Sequence, residues 1–370
     1  MNKAWRFATR VAIAGAILGP AGRVRAADMS GALSIMARDP ATGEIGVAVL
    51  SHAPACGNWT PWVEAGVGAI ATQGETNASW GPRGLEMLRK GVPVERMVDS
   101  LMHSDEGFQR RQIGALDRTG WPAGYSGNDL VNWSGGILDT NFAIQGNNMP
   151  DHLVIEAIAD TVLRLRALPL AERLLAGLAS GQRRRADWRG ARSAAILIGR
   201  VHPDRPEDAS RYVYLRVDDD PDPVGKLARL YLAWRASRLV AAELDYAAWY
   251  RKSGQARAGI EQSQARGDVA AALYDTTLGA PALNAMAWQL AQRGVLLDQA
   301  WRAIERARKA EPRSTEFSDT AAEVRYRQGR LADALALARE GSKRVPADEY
   351  LQARVKFFEQ AAAKPGAAQR

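Results

Sequence analysis

Cysteine and histidine are scarce in this chain, and its apolar runs are short. Among 370 residues there is one cysteine and there are four histidines. A single cysteine, Cys56, excludes an intrachain disulfide. His52, His103, His152 and His202 stand apart, with no HExxH spacing and no paired Cys/His set, so neither a structural nor a catalytic zinc site is expected. No cofactor is expected either. A one-signed charge excess is also missing from most of the chain. The net charge is +8, but residues 1–26 contribute +5 through Lys3, Arg6, Arg10, Arg23 and Arg25 without one acid. The other 344 residues hold 44 basic and 41 acidic groups, a net +3 that is too small for a nucleic-acid footprint.

What the N-terminus does have is the three-part pattern of a secretory signal. A basic start precedes twelve apolar residues, Val11–Gly22, and Val24-Arg25-Ala26 then gives a cleavage site after Ala26. The run is too short for a helix to cross about 30 Å of hydrocarbon. No later stretch reaches about 18 uninterrupted apolar residues. The expectation is a protein exported to the periplasm or the exterior, with no membrane span once the signal is removed.

The remainder falls into two halves with different periodicity. Over 30–235, β-rich runs alternate with helical ones. Gly31–Arg38 and Glu44–Ser51 flank the Pro- and Gly-containing turn at 39–43, which predicts a hairpin. Gln112–Asp117 and Pro122–Ser126 predict a second, and Val67–Thr72, Phe142–Gln145, Ala194–Gly199 and Tyr212–Val217 read as further strands. Helices are predicted over 82–90, 94–103, 151–166 and 169–180. Runs of strands with helices grouped between them predict an α+β layered domain.

Beyond about Asp222 strand signals vanish, leaving a helical connector over 236–283, helical repeats over 284–363 and a tail over 364–370. Ala287, Leu290, Gly294, Ala300, Ile304, Ala307 and Pro312 are echoed by Ala322, Arg325, Gly329, Ala334, Ala338, Gly341 and Pro346, at offsets of 34 or 35 residues. This resembles the tetratricopeptide repeat, in which small residues let paired antiparallel helices pack closely. The large aromatics usual in that repeat are absent here, and one residue is added after Gly294. The resemblance implies a protein partner at these helices.

The run Ser34–Val49 (SIMARDPATGEIGVAV), followed by Pro61–Gln73, Gly81–Leu85, Arg111-Gln112, Tyr125–Gly127, Gln145–Asn147, Pro169–Leu175, Arg189-Gly190 with Arg192–Ala195, and Arg216–Asp219 with Pro221–Pro223, resembles the domain of unknown function 1028 family from about Ser34 to Tyr231. That family is similar to the N-terminal nucleophile hydrolases. The resemblance therefore implies a four-layer αββα sandwich, followed here by the all-α repeats. It also implies an amide-bond hydrolase acting on a small or cell-wall-derived substrate, or an inactive relative that keeps the pocket and binds a ligand.

The mechanism of such hydrolases needs a Ser, Thr or Cys as first residue, so that its own amine serves as base. Where relatives often have Thr, this chain has Ala32. Ser30 is the nearest candidate nucleophile, exposed as an N-terminus only if Ala27–Met29 are trimmed after signal cleavage. Ser34 lies inside a predicted strand and is expected to be a satisfied hydroxyl. His52, just after the second strand, is a candidate proton shuttle, with an ordinary loop histidine as the alternative. For ligand binding, Gln73 and Asn77 at a strand end could orient a carbonyl, Arg83 or Arg111 could grip a carboxylate, and Asn147 could line the site. Asp219 is a further candidate ligand-binding residue; it belongs to the acidic run 218–222, which lacks EF-hand spacing. In that run Asp222 before Pro223 suits a helix N-cap. A small molecule or peptide is the expected ligand of this domain, and a homo-oligomer is left open.

Overall fold

A computed structural model describes residues 11–12, 32–201, 209–255 and 257–363. The expected signal segment, Ser30 and the 364–370 tail lie outside the described residues, except for Val11 and Ala12. Those two residues form a short strand, β1, paired with Leu138 and Ile137. The chain divides into two compact units between Ala228 and Arg229.

The first unit contains two antiparallel sheets. The hairpin at its start is the predicted one: β2 (Ala32–Arg38) and β3 (Ile45–Ser51) join through a turn in which Asp39 N donates to Glu44 O and Gly43 takes φ 72°. β4 (Pro61–Glu64) and β5 (Gly68–Gly74) follow, then β6 (Arg111–Asp117) and β7 (Pro122–Ser126) as the second predicted hairpin. β8 (Trp133–Asp139), β9 (Phe142–Met149), β10 (Ser193–Gly199) and β11 (Val213–Val217) complete the set. The larger sheet has the order β1-β8-β9-β2-β3-β10-β11 and the smaller one β4-β5-β6-β7.

Besides β1, two strands escaped the sequence pattern. β4 is a four-residue edge strand that opens with proline, tolerable only where no ladder N–H is required. β8 begins Trp-Ser-Gly-Gly, which shows no apolar alternation.

Helices α1 (Trp80–Arg89) and α2 (Val94–His103) cover the smaller sheet, with Leu85, Met97 and Leu101 packed on Ile70 and Ile113. Helices α3 (Leu153–Arg164) and α4 (Leu170–Arg183) lie on the larger one. α4 sits close to β2 because two of its residues are glycines: a Cβ on Gly177 would stand 2.7 Å from Ile35, and one on Gly181 2.6 Å from Leu33. The facing surfaces of the two sheets enclose Met36, Val47, Val49, Ala69, Ala71, Leu116, Ala143 and Ala195.

Helix α5 (Pro223–Trp234) starts with the predicted cap, Gly225 N donating to Asp222 Oδ1 at 3.1 Å. It runs through a π-helical segment, Arg235–Leu239, into α6 (Val240–Lys252). The second unit continues with α7 (Arg257–Tyr274), α8 (Ala280–Arg293), α9 (Leu297–Ala310), α10 (Thr315–Arg327), α11 (Leu331–Arg344) and α12 (Glu349–Ala362). The repeated small residues do what their size allows: Ala287, Ala300, Ala307, Ala322 and Ala334 are all fully buried between helices. Gly294 and Gly329 occupy equivalent left-handed positions after α8 and α10. The extra residue of the first repeat is absorbed at Leu296, itself left-handed at φ 49°. Arg325, where the first repeat has Leu290, lays its guanidinium 3.4 Å from the centre of the Trp301 ring.

Candidate functional site

Side chains alternate between the two faces of a strand. Met36 faces the layer between the sheets, so Ser34 and Ala32 do too. By the same parity Val49 carries Ser51 into that layer, Ala143 carries Gln145 and Asn147, Ala71 carries Gln73, Leu116 carries Gly114 and Gln112, and Ala195 carries Ser193. Along its length the layer thus changes from hydrocarbon to amide and hydroxyl. Its polar end is the one where β2 begins, since Ala32 pairs with Ser51 and Ser51 with Ser193.

Gln112 is the hub of that end. Its Oε1 accepts from Gln73 Nε2 at 2.5 Å and from Asn147 Nδ2 at 3.0 Å. Its own Nε2 donates to Gly146 O at 2.9 Å and Ser126 Oγ at 2.8 Å. Gln73 Nε2 also reaches the carbonyls of Ala32 and Gln145, each at 3.3 Å. Gln145 Nε2 donates to Ala71 O at 3.3 Å. All four amides are buried. Among the described residues, three polar atoms of this layer remain without a hydrogen-bond partner: Ser34 Oγ, Gln73 Oε1 and Gln145 Oε1. Ser34 and Gln145 are cross-strand neighbours, so two of the three lie side by side. The expectation that Ser34 is a satisfied hydroxyl is therefore corrected: its buried Oγ makes no hydrogen bond among the described residues. Buried polar groups without partners are uncommon and mark sites worth explaining.

Of the residues singled out in the sequence, the structure joins Gln73 and Asn147 through Gln112. Sequence reasoning missed Gln112 and Gln145 as members. The available signal was each Gln standing at a core-facing position of an otherwise apolar strand.

Asn77, Arg83 and Arg111 are elsewhere. Arg111 precedes Gln112, and its side chain emerges on the helix-covered face of the smaller sheet. There its Nε meets Asp105 Oδ2 at 3.2 Å, and its Nη1 donates to Glu75 O. Asn77 Nδ2 donates to the same Asp105 oxygen at 2.7 Å. Burial pulls the Asp105 carboxyl upward, but hydrogen bonds from Asn77, Arg111 and Gly107 N outweigh it and leave its pKa lowered. Arg111 is thus committed to an internal pair. Arg83 donates to Ser104 Oγ at 3.0 Å on an exposed surface.

His52 Nδ1 lies 2.8 Å from Gly190 O, tying two loops together, and no hydrogen bond links it to the amides. Asp219 is held by Arg192 through two bonds of 2.8 and 2.6 Å, a half-exposed pair of small energetic weight. No group of His, Cys, Asp and Glu able to hold a metal ion occurs among the described residues.

Ser51 and Ser193 are consumed locally. Ser51 Oγ accepts from Ala53 N at 3.0 Å, and Ser193 Oγ donates to Ala53 O at 2.6 Å while accepting from Cys56 N at 3.2 Å. Cys56 itself is buried, and desolvation pushes its thiol up to about 12, so it is no nucleophile at neutral pH.

Loops crowd this end with unusual backbone. Ala55, Asn132, Asn148 and Arg185 all take positive φ, a conformation that costs Ala and Arg more than Asn. Asn148 accepts from the indole N–H of Trp188 at 3.0 Å, and the Trp188 side chain is 51% exposed at the rim. The buried pair Arg200–Glu44, at 3.2 Å, lies outside this layer: Ile45 and Leu197 face the other sheet, so Glu44 and Arg200 have the parity of the face that α4 covers.

A protein-family model described as a family of unknown function, DUF1028, matches residues 32–227, and the chain belongs to that family. A crystal structure of a protein from Silicibacter pomeroyi, assigned to the same family, is 32% identical with a TM-score of 0.49. That alignment covers 55% of this chain and 89% of the other. No curated protein matches the sequence significantly.

Proposed function

We propose that the first unit is a ligand-binding αββα domain of the N-terminal nucleophile hydrolase-like kind, in an exported protein whose helical tail is tetratricopeptide-like. Its ligand is a small, uncharged molecule bearing amide groups. The observation that carries this reading is the set of unpartnered buried atoms Ser34 Oγ, Gln73 Oε1 and Gln145 Oε1 in a layer end built from neutral amides. Neutral donors and acceptors favour a neutral partner, because a buried unpaired charge would be costly there. Thermal denaturation with N-acetylglycinamide tests it. The melting temperature should rise with ligand concentration, and Gln73→Leu should remove the rise. No rise in the unmodified protein would sink the reading.

A second reading, amide hydrolysis, is favoured by the position of Ser30 two residues before Ala32, whose carbonyl Gln73 binds. It requires a mature chain that begins at Ser30. The intact mass of exported protein decides it: a start at Ala27 leaves no free-amine nucleophile, whereas a start at Ser30 calls for an amidase assay with Ser30→Ala as control.

A further inference from the structure

The second unit has a cavity of about 580 Å³ lined by α8, α10 and the start of α12. Asn284, on α8, is 3% exposed and contributes to its wall. Its Nδ2 donates to Glu316 Oε1 at 2.7 Å. A carboxylate only accepts, so the orientation of the Asn284 amide is fixed by Glu316, and Asn284 Oδ1 is left as an acceptor without a partner. The carboxylates around it are not equivalent. Asp319 is neutralised, one oxygen accepting from Arg354 Nε at 2.6 Å and the other from Tyr350 OH at 2.8 Å. Glu316 and Asp348 form no ion pair among the described residues. Asp348 only caps α12 through Leu351 N at 3.1 Å. Among the described residues, Arg238 is the one cation in the lining, and it is exposed. Trp288 adds an aromatic surface to the same wall.

We propose that this cavity binds a primary ammonium group on an aliphatic chain, with Asn284 Oδ1 and the Glu316 carboxylate as its acceptors and Trp288 against its methylenes. Two acceptors on different residues suit the three tetrahedral donors of an ammonium better than a planar guanidinium, which prefers both oxygens of one carboxylate. An aromatic face beside a cation adds to the attraction. The same chemistry is offered by a lysine side chain of a peptide and by a free diamine.

Titration calorimetry on the full chain tests the proposal with three probes: N-acetyl-lysine methylamide, its Nε-acetylated form, and cadaverine. At least one of the two ammonium probes should bind, and the stronger one identifies the source. The Nε-acetylated form should bind at least about tenfold more weakly, since it lacks the charge. Glu316→Gln should weaken the ammonium probe by a similar factor, and Arg238→Gln should strengthen it several-fold. Both are exposed positions, so circular dichroism should show an unchanged fold. Raising the salt concentration should weaken binding. The proposal is overturned if neither ammonium probe binds, if acetylation makes no difference, or if folded Glu316→Gln binds as the parent does.

Discussion

Gln112 and Asn147 are joined across the two sheets of the first unit by a 3.0 Å hydrogen bond, from Asn147 Nδ2 to Gln112 Oε1. The same oxygen accepts from Gln73 within its own sheet, so one carbonyl aligns a side chain from each layer. Replacing Gln112 by Leu removes both acceptor and donors: the buried Asn147 N–H loses its partner, and Gly146 O and Ser126 Oγ lose their donor. The expected cost is about 2–4 kcal/mol. Urea unfolding should show a lower midpoint with an unchanged slope. Gln112→Leu with parental stability would mean the network contributes little.

Much of the frame was legible because apolar alternation and glycine turns are local signals. The β2–β3 hairpin, α2 over Val94–His103 and the echo of Ala287 in Ala322 were all readable in this way. The site was less legible, since its members come together only through strand register. Gln73 and Gln112 meet because β5 and β6 pair at those residues, and nothing in either local stretch announces the partner. Arg111 shows the converse. Its residue type suggested a ligand grip, while its parity on β6 sends it to the other face and into a pair with Asp105.

Cys56 should be chemically silent in the native protein. Its thiol is pushed up to about 12, chiefly by desolvation, so thiolate is scarce at pH 8. A disulfide reagent such as dithionitrobenzoate should modify it rapidly in urea and at least about a hundredfold more slowly in buffer. Fast native labelling would show that the thiol is accessible and that the environment described for it is wrong.

The Asp105 carboxyl links the fold to pH. Its pKa is lowered in the folded protein, so its contribution is present above the unfolded value of about 3.9 and is lost as pH falls below it. Asp105→Asn should therefore cost about 1–2 kcal/mol at neutral pH. The difference from the parent should shrink on acidification below about pH 4, where the parent carboxyl also takes up a proton. Unfolding curves at neutral and acidic pH check both statements. A gap that stays constant with pH would assign the loss to packing alone.

Gly114 and Gln145 should be strongly coupled. A Cβ on Gly114 would fall 1.7 Å from Gln145 Oε1, so the glycine is what allows the Gln145 side chain to lie across the smaller sheet. Gly114→Ala must either displace that amide, breaking its 3.3 Å bond to Ala71 O, or move β6. Overpacking of this kind costs about 1–3 kcal/mol. Gln145→Ala removes the clashing atoms, and in that background the added methyl of Gly114→Ala should be nearly neutral. A double-mutant cycle should then give a coupling of about 1–2 kcal/mol between the two positions. Additive losses would mean that the methyl is resisted by the backbone of β6 rather than by the Gln145 amide. The amide cluster would then not depend on Gly114 for the space it occupies.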